Sequence, residues 1–279
     1  MNPWNMKIVA DSSSEVLTLE QVPFSSVPLK ISTAQKEYVD NADLDVTEMV
    51  EELLQYTGKS GSACPGVGDW IEAFGDAPYV FVVTITSNLS GSYASAVAAK
   101  QVYEENYPDR HVFLIDSLSA GAELMLIIEK LQDLIVSGLP YEEVCREITA
   151  YQEHADLMFM LESLQNLANN GRVSHLAAKA VGILGIRVVG KASEVGTLEQ
   201  LNKCRGEKKG LATLYQHMKD LGYAGGKVRI GHCLNEQAAL KLKELVLADH
   251  ASADIKIFSC RGLCSFYAEK GGMLVGFEK

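Results

Sequence analysis

The chain has 279 residues, a formal net charge of −11, and 47% hydrophobic against 22% charged residues, the balance of an ordinary globular protein with room for one large or two medium domains. No apolar run reaches the roughly 18 residues that a membrane span requires, and an acidic chain without a basic stripe argues against nucleic acid or an anionic membrane surface as the main partner. The opening MNPWNMKIVADSSS has neither the basic region nor the long apolar core of a signal peptide, so a cytoplasmic location is expected.

In chain order, Met6 to Ala10 (MKIVA) reads as a short buried strand ending at Asp11-Ser12-Ser13-Ser14. Val22 to Val39 is β-prone, with Pro23 and Pro28 arguing against helix, and predicts a small edge hairpin. Asp45 with Glu48 resembles a capping box, after which Val46, Met49, Val50, Leu53 and Leu54 recur at helical spacing. A small, hydroxyl-bearing loop, Ser60 to Gly66, precedes a short helix around Asp69 to Phe74. Tyr79 to Ile85 (YVFVVTI) is an unbroken apolar, β-branched run, as a parallel strand buried on both faces requires. It stops at TSNLSGS and opens onto a small-residue helix from near Ser92 through Lys100. His111 to Ile115 is a third strand, ending at Asp116-Ser117-Leu118-Ser119-Ala120-Gly121. The helix after it, Ala122 to Val136, is apolar nearly all round in its first half, which predicts burial between layers. Gly138 and Pro140 end it, and Tyr141 to His154 is amphipathic.

Three strands thus end in loops rich in Ser and Asp, each opening onto a helix. In an open α/β sheet the ligand lies outside the carboxyl ends of the strands, where the strand order reverses. Helix N-termini there present unpaired N–H groups, so the three loops and the Ser60–Cys64 loop together read as a rim for a carboxylate or phosphate.

From Asp156 the rhythm changes. Leu157 to Leu161 is a strand candidate, and Leu164 with Leu167 marks a short helix closed by Gly171 as a left-handed cap. His175 to Leu184 is helical, then Ile186 to Lys191 and Thr197 to Cys204 form a hairpin. Lys208 to Leu221 is helical, Lys227 to Cys233 a strand, and Asn235 caps a further helix. Asp254 to Cys260 and Gly272 to Phe277 close the chain as strands. This second half mixes sheet and helix and reads as its own domain.

No phosphate-binding G-x-x-x-x-G-K-[ST] loop, G-x-G-x-x-G after a strand, H-E-x-x-H pair or G-x-S-x-G elbow is present. Six scattered cysteines and six histidines show no metal-ligand spacing. Asp11 and Asp116 sit at equivalent strand ends, where capping the following turns outweighs acid–base work.

The motifs IVADSSSEV, SGSACPG, TSNLSGSYASA, LIDSLSAG, LESLQNLANNGRVS and NKCRGEKKGL, in that order from about Lys7 to Phe277, resemble those of the DegV family. The resemblance implies an α/β fold of two domains, a Rossmann-like parallel-sheet domain (1–155) and a mixed α/β domain (156–279), with a ligand cleft between them. It implies a long-chain fatty acid as ligand and no cofactor, metal or catalytic residue. It also implies a separate ATP-using kinase subunit as partner, which converts the presented carboxylate to an acyl phosphate. Carried over by motif, the ligand-binding residues are Ser60 and Ser62 from the family's T-S-x-P-S loop, Ser90, Gly91 and Ser92 from its S-G-[ST] loop, and Arg205 from its R-x-x-K-K run. Tyr267 stands where the family shows the histidine of H-T-G-P-G. A phenol still donates a hydrogen bond to a carboxylate, but it does not become cationic.

The resemblance alone supplies the acyl chain. The apolar helices at 122–135 and 175–184 suit an acyl tunnel and ordinary core packing equally. The alternative function is a small-molecule enzyme, a hydrolase using Ser90 or a relative acting on a phosphorylated substrate. The missing elbow and missing catalytic histidine speak against it.

Overall fold

The computed structural model describes residues 5–176 and 185–279. Its first half runs β1 (Met6–Asp11), β2 (Phe24–Val27), β3 (Lys30–Ser32), β4 (Glu37–Val39), α1 (Val46–Gln55), β5 (Gly61–Ala63), α2 (Val67–Phe74), β6 (Tyr79–Thr84), α3 (Ser92–Asn106), β7 (His111–Asp116), α4 (Ala122–Val136) and α5 (Tyr141–Tyr151). Strands β2-β1-β6-β7 form a four-stranded sheet in that order, every pair parallel. Ile8, Val9 and Ala10 of β1 and Val80 to Val83 of β6 are fully buried, which is why their sequence alternates nowhere. The strand order reverses between β1 and β6.

The hairpin expected over Val22 to Val39 divides in two. Phe24–Val27 joins β1 in parallel, while β3 and β4 pair antiparallel and take β5 as a third strand. The loop expected at Ser60–Gly66 therefore contains a strand, with Ser62 opposite Ile31. Short strands of this kind carry no periodicity of their own and are made by their partners.

The second half runs β8 (Ala155–Leu161), α6 (Gln165–Asn169), β9 (Ile186–Ala192), β10 (Leu198–Arg205), α7 (Glu207–Asp220), β11 (Val228–His232), α8 (Glu236–Asp249), β12 (Ile255–Ser259), α9 (Gly262–Ala268) and β13 (Met273–Glu278). Its six strands form a sheet in the order β10-β9-β8-β13-β11-β12, antiparallel except for the β11–β12 pair. Asn235 occupies the N-cap of α8, but its amide donates to Gly271 O (3.0 Å) rather than capping the helix. The helix expected over His175 to Leu184 lies, after Leu176, outside the described residues.

Helix α4 lies between the two large sheets, as its all-round apolar character predicts. Ala122 to Ile128 are buried throughout, and Leu124, Ile127, Ile128 and Leu131 pack with Ile8, Phe81 and Val83 of the parallel sheet. On its other side the backbone of Ala122 comes so close to Gly276 of β13 that a Cβ there would sit 2.6 Å from it. Only glycine allows that approach. Strand β8 alternates with period 2: Met158 and Met160 pack with Leu211 and Leu214 of α7, while Leu157, Phe159 and Leu161 face the opposite side, with Leu167 and Phe266.

Candidate functional site

At the reversal between β1 and β6, Asp11 ends β1 fully buried. Its carboxylate accepts hydrogen bonds from the amide and hydroxyl of Ser13, from the Ile85 amide (3.0 Å) and from the Ser92 hydroxyl (2.6 Å). Burial raises its pKa, and these donors oppose the rise. Asp116 at the end of β7 takes the amides of Ser87 (3.1 Å) and Leu118 (3.2 Å). Both aspartates cap turns, as the sequence suggested. Between them, Ile85 to Gly91 form the loop that leads into α3, and the Ser92 amide donates to Ser90 Oγ at 3.3 Å.

The face of β8 formed by Leu157, Phe159 and Leu161 is one wall of a mostly apolar cavity. Leu274 of β13, Leu263 and Ala268 of α9, Leu29, Ile85, Leu89, Ala120, Leu167 and Leu198 complete its apolar lining. No residue of α4 itself lines it, so that helix is core. The polar lining is Ser62, Ser90, Arg172 and Tyr267, with the thiol of Cys264. These four polar residues are tied together. Ser62 Oγ and Tyr267 Oη are 2.7 Å apart. The Arg172 guanidinium lies 5.6 Å from the Tyr267 ring centroid and donates to Leu89 O (3.1 Å), beside Ser90. Cys64 Sγ packs against Gly91, 3.1 Å from where a Cβ would stand, which holds the end of β5 against the Ser90–Gly91 loop. Hydroxyls, a guanidinium and the start of α3 suit one anionic head, and the remaining wall suits an apolar chain.

Of the residues singled out from sequence, Ser62, Ser90 and Tyr267 meet in this cavity. Gly91 is the N-cap of α3, and Ser92, fully buried, gives its hydroxyl to Asp11. Ser60 lines a neighbouring polar cleft with Tyr56, Asn166 and Lys270. Arg205 is exposed at the opposite end of β10 from the cavity-lining Leu198, roughly 20 Å away along an extended strand. Sequence reasoning missed Arg172. Its signal was the glycine before it: Gly171 (φ 74°) follows the C-cap of α6, with Gly171 N bonded to Ala168 O and Arg172 N to Leu167 O. That turn reverses the chain and brings Arg172 to the loop after β6. Anchoring the T-S-x-P-S pattern on its proline, Pro65, rather than on its first hydroxyl would have put Ser62 in the leading place.

Among the described residues no cluster of His, Cys, Asp or Glu is arranged to hold a metal ion, and no helix is long and apolar enough to cross a membrane. Fold and cavity together define a class: mixed α/β proteins with a mostly apolar cavity whose polar residues gather beside the loop after β6. The model of the DegV family, described as an uncharacterised protein family, matches residues 5–279, and the chain belongs to that family. A DegV domain-containing protein of Streptococcus pneumoniae is 48% identical over 276 residues, 98% of each chain. Among solved structures, a DegV family protein of Eubacterium eligens loaded with heptadecanoic acid is similar at a TM-score of 0.96 and 44% identity, covering 98% of this chain and 99% of that one. The Fatty Acid Kinase (Fak) B3 protein of Streptococcus pneumoniae, loaded with linoleic acid, is similar at a TM-score of 0.96 and 47% identity with the same coverage.

Proposed function

We propose that this chain binds a long-chain fatty acid, with the acyl chain along β8 and the carboxylate at Ser62, Ser90, Arg172 and Tyr267. The observation that carries this reading is the apolar cavity closed at one place by the Ser62–Tyr267 hydroxyl pair. Its support from outside is the near-identical fold of relatives loaded with heptadecanoic and linoleic acids. The amides that follow Gly91 add the N-terminal end of α3 to the carboxylate's surroundings. In this reading the chain divides near residue 155 into two domains, 1–155 and 156–279, with the ligand between them.

The chain presents its ligand to a separate, cytoplasmic, ATP-using subunit, which phosphorylates the carboxylate. The likeness to the protein named Fatty Acid Kinase (Fak) B3 supports this role, and the exposed Arg205, with Lys208 and Lys209 behind it in sequence, is the contact proposed for that partner. A hydrolase using Ser90 is disfavoured, because among the described residues the cavity lining contains no histidine, aspartate or glutamate to activate the hydroxyl.

Native mass spectrometry after mild purification tests the reading, with an adduct of fatty acid mass expected. Delipidated protein that ignores fatty acids in calorimetry would refute it.

A further inference from the structure

The loop that faces the ligand is held at both ends by one atom. Asp11 Oδ2 accepts from the amide of Ile85, where the loop leaves β6, and from the hydroxyl of Ser92, where it enters α3. Asp11 Oδ1 takes Ser13, so the same carboxylate ties the loop to the turn after β1. Asp11 has no exposed surface. Burying an ionised carboxylate is costly, and a neutral side chain would fill the same space at less cost to stability. The carboxyl group kept at this buried position calls for another reason.

Four donors converge on the group, and two of them are backbone amides that cannot reverse their role. A carboxyl group accepts from both amides at once, one on each oxygen. An asparagine turned either way would set its own N–H groups against one amide, that of Ser13 or that of Ile85.

We propose that Asp11 is a positioning residue for the anion site: by closing the Ile85–Ser92 loop on one oxygen, it aims the Ser90 hydroxyl and the first amides of α3 at the head group. This sets the preference for a carboxylate over a neutral head of the same chain length. The proposal rests on the reading that the carboxylate lies at Ser62, Ser90 and Tyr267. A purely electrostatic role predicts the opposite sign. A negative charge beneath the head group repels a carboxylate, so removing it would tighten binding.

The test compares palmitic acid with hexadecan-1-ol in displacing an apolar fluorescent dye from the delipidated full chain. For Asp11→Asn, acid affinity is expected to fall about tenfold while alcohol affinity stays within about twofold. Ser92→Ala is expected to give the same selective loss, and the double variant no more than either single change, since both remove one latch. Faster amide exchange at Leu89 to Tyr93 is expected in unliganded Ser92→Ala, a readout that stands even if Asp11→Asn does not fold. Unchanged or tighter acid binding, an equal loss for acid and alcohol, additive single effects, or unchanged exchange in that segment overturns the proposal. A parent protein with no preference for acid over alcohol overturns the head-group reading itself, and this proposal with it.

Discussion

Tyr267 Oη lies 2.7 Å from Ser62 Oγ across a sequence separation of 205 residues, joining α9 to β5 at the polar part of the cavity. One of the two hydroxyls donates to the other, which leaves one hydrogen free for a ligand oxygen. Tyr267 also packs edge-on against Phe266 (centroids 4.8 Å apart) and carries Arg172 over its ring. The phenol therefore has a packing role and a donor role, and substitutions separate the two.

Tyr267→Phe keeps the ring and removes only the hydroxyl. Calorimetry with a long-chain fatty acid is expected to show a loss of about 1.5–3 kcal/mol, or roughly tenfold to a hundredfold. Ser62→Ala should give a similar loss, and the double variant less than the sum because the two hydroxyls act as a pair. Parent-like affinity for both single variants would leave the pair as packing alone.

Arg172 donates to Leu89 O and Asn170 O, holding its guanidinium beside Ser90. Arg172→Ala is expected to weaken fatty acid binding by about tenfold or more. Arg172→Lys should restore only part of it, because an ammonium keeps the charge but not the planar fork. A titration in which lysine binds as well as arginine would reduce the role of Arg172 to its charge.

Arg205 separates binding from transfer. It is exposed and does not line the cavity, so Arg205→Ala should bind fatty acid like the parent. Acyl phosphate formation in a coupled assay with a cognate kinase subunit should be abolished. Unchanged turnover would return Arg205 to an ordinary surface role.

Glu15 gives the protein a pH signature. It is buried, its Oε1 has no hydrogen-bond partner, and its Oε2 accepts from the Arg261 amide. Burial pushes its carboxyl up to about 8, with Asp40 adding to the rise and Cys264 and Arg261 opposing it. Between the ordinary value of 4.5 and about 8, the folded chain keeps a proton that the unfolded chain has released. That contribution to stability is complete below the lower value and is lost as pH rises through the window. Glu15→Gln, neutral throughout, is expected to gain in melting temperature over the parent as pH rises from about 5 to about 9. Glu123, pushed up to about 7 by burial, is common to both proteins and cancels in the difference. Parallel melting curves across that range would place the Glu15 charge elsewhere.

Much of the architecture is written in local physics. Tyr79–Thr84 is a strand because an unbroken apolar, β-branched run satisfies both faces of a parallel sheet. Helix α4 is central because its first half is apolar nearly all round, Glu123 apart. Gly171 turns left-handed because the chain must leave α6 there. The strand-end aspartates cap turns in the way their side chains favour near any backbone N–H. The local signals for these need no distant partner, so the sequence by itself determined them, whereas the bonds of Asp11 to Ile85 and Ser92 and of Asp116 to Ser87 come from the fold. The apolar cavity had no such local signature, since a tunnel wall and a core use the same leucines. Helix α9, GLCSFYA, was missed because seven residues carry too short a period, and it forms where Asp40 accepts the amides of Gly262 and Leu263 (2.8 and 2.9 Å). That Ser62 reaches the cavity while Ser60 does not follows from the pairing of β5 with β3, a choice made by residues 30 positions away. The meeting of Ser62, Ser90, Arg172 and Tyr267 belongs to the tertiary structure alone. Hydroxyls and a guanidinium are satisfied by water wherever they are exposed, and only the packing of the sheets and helices against one another brings these four to one cavity.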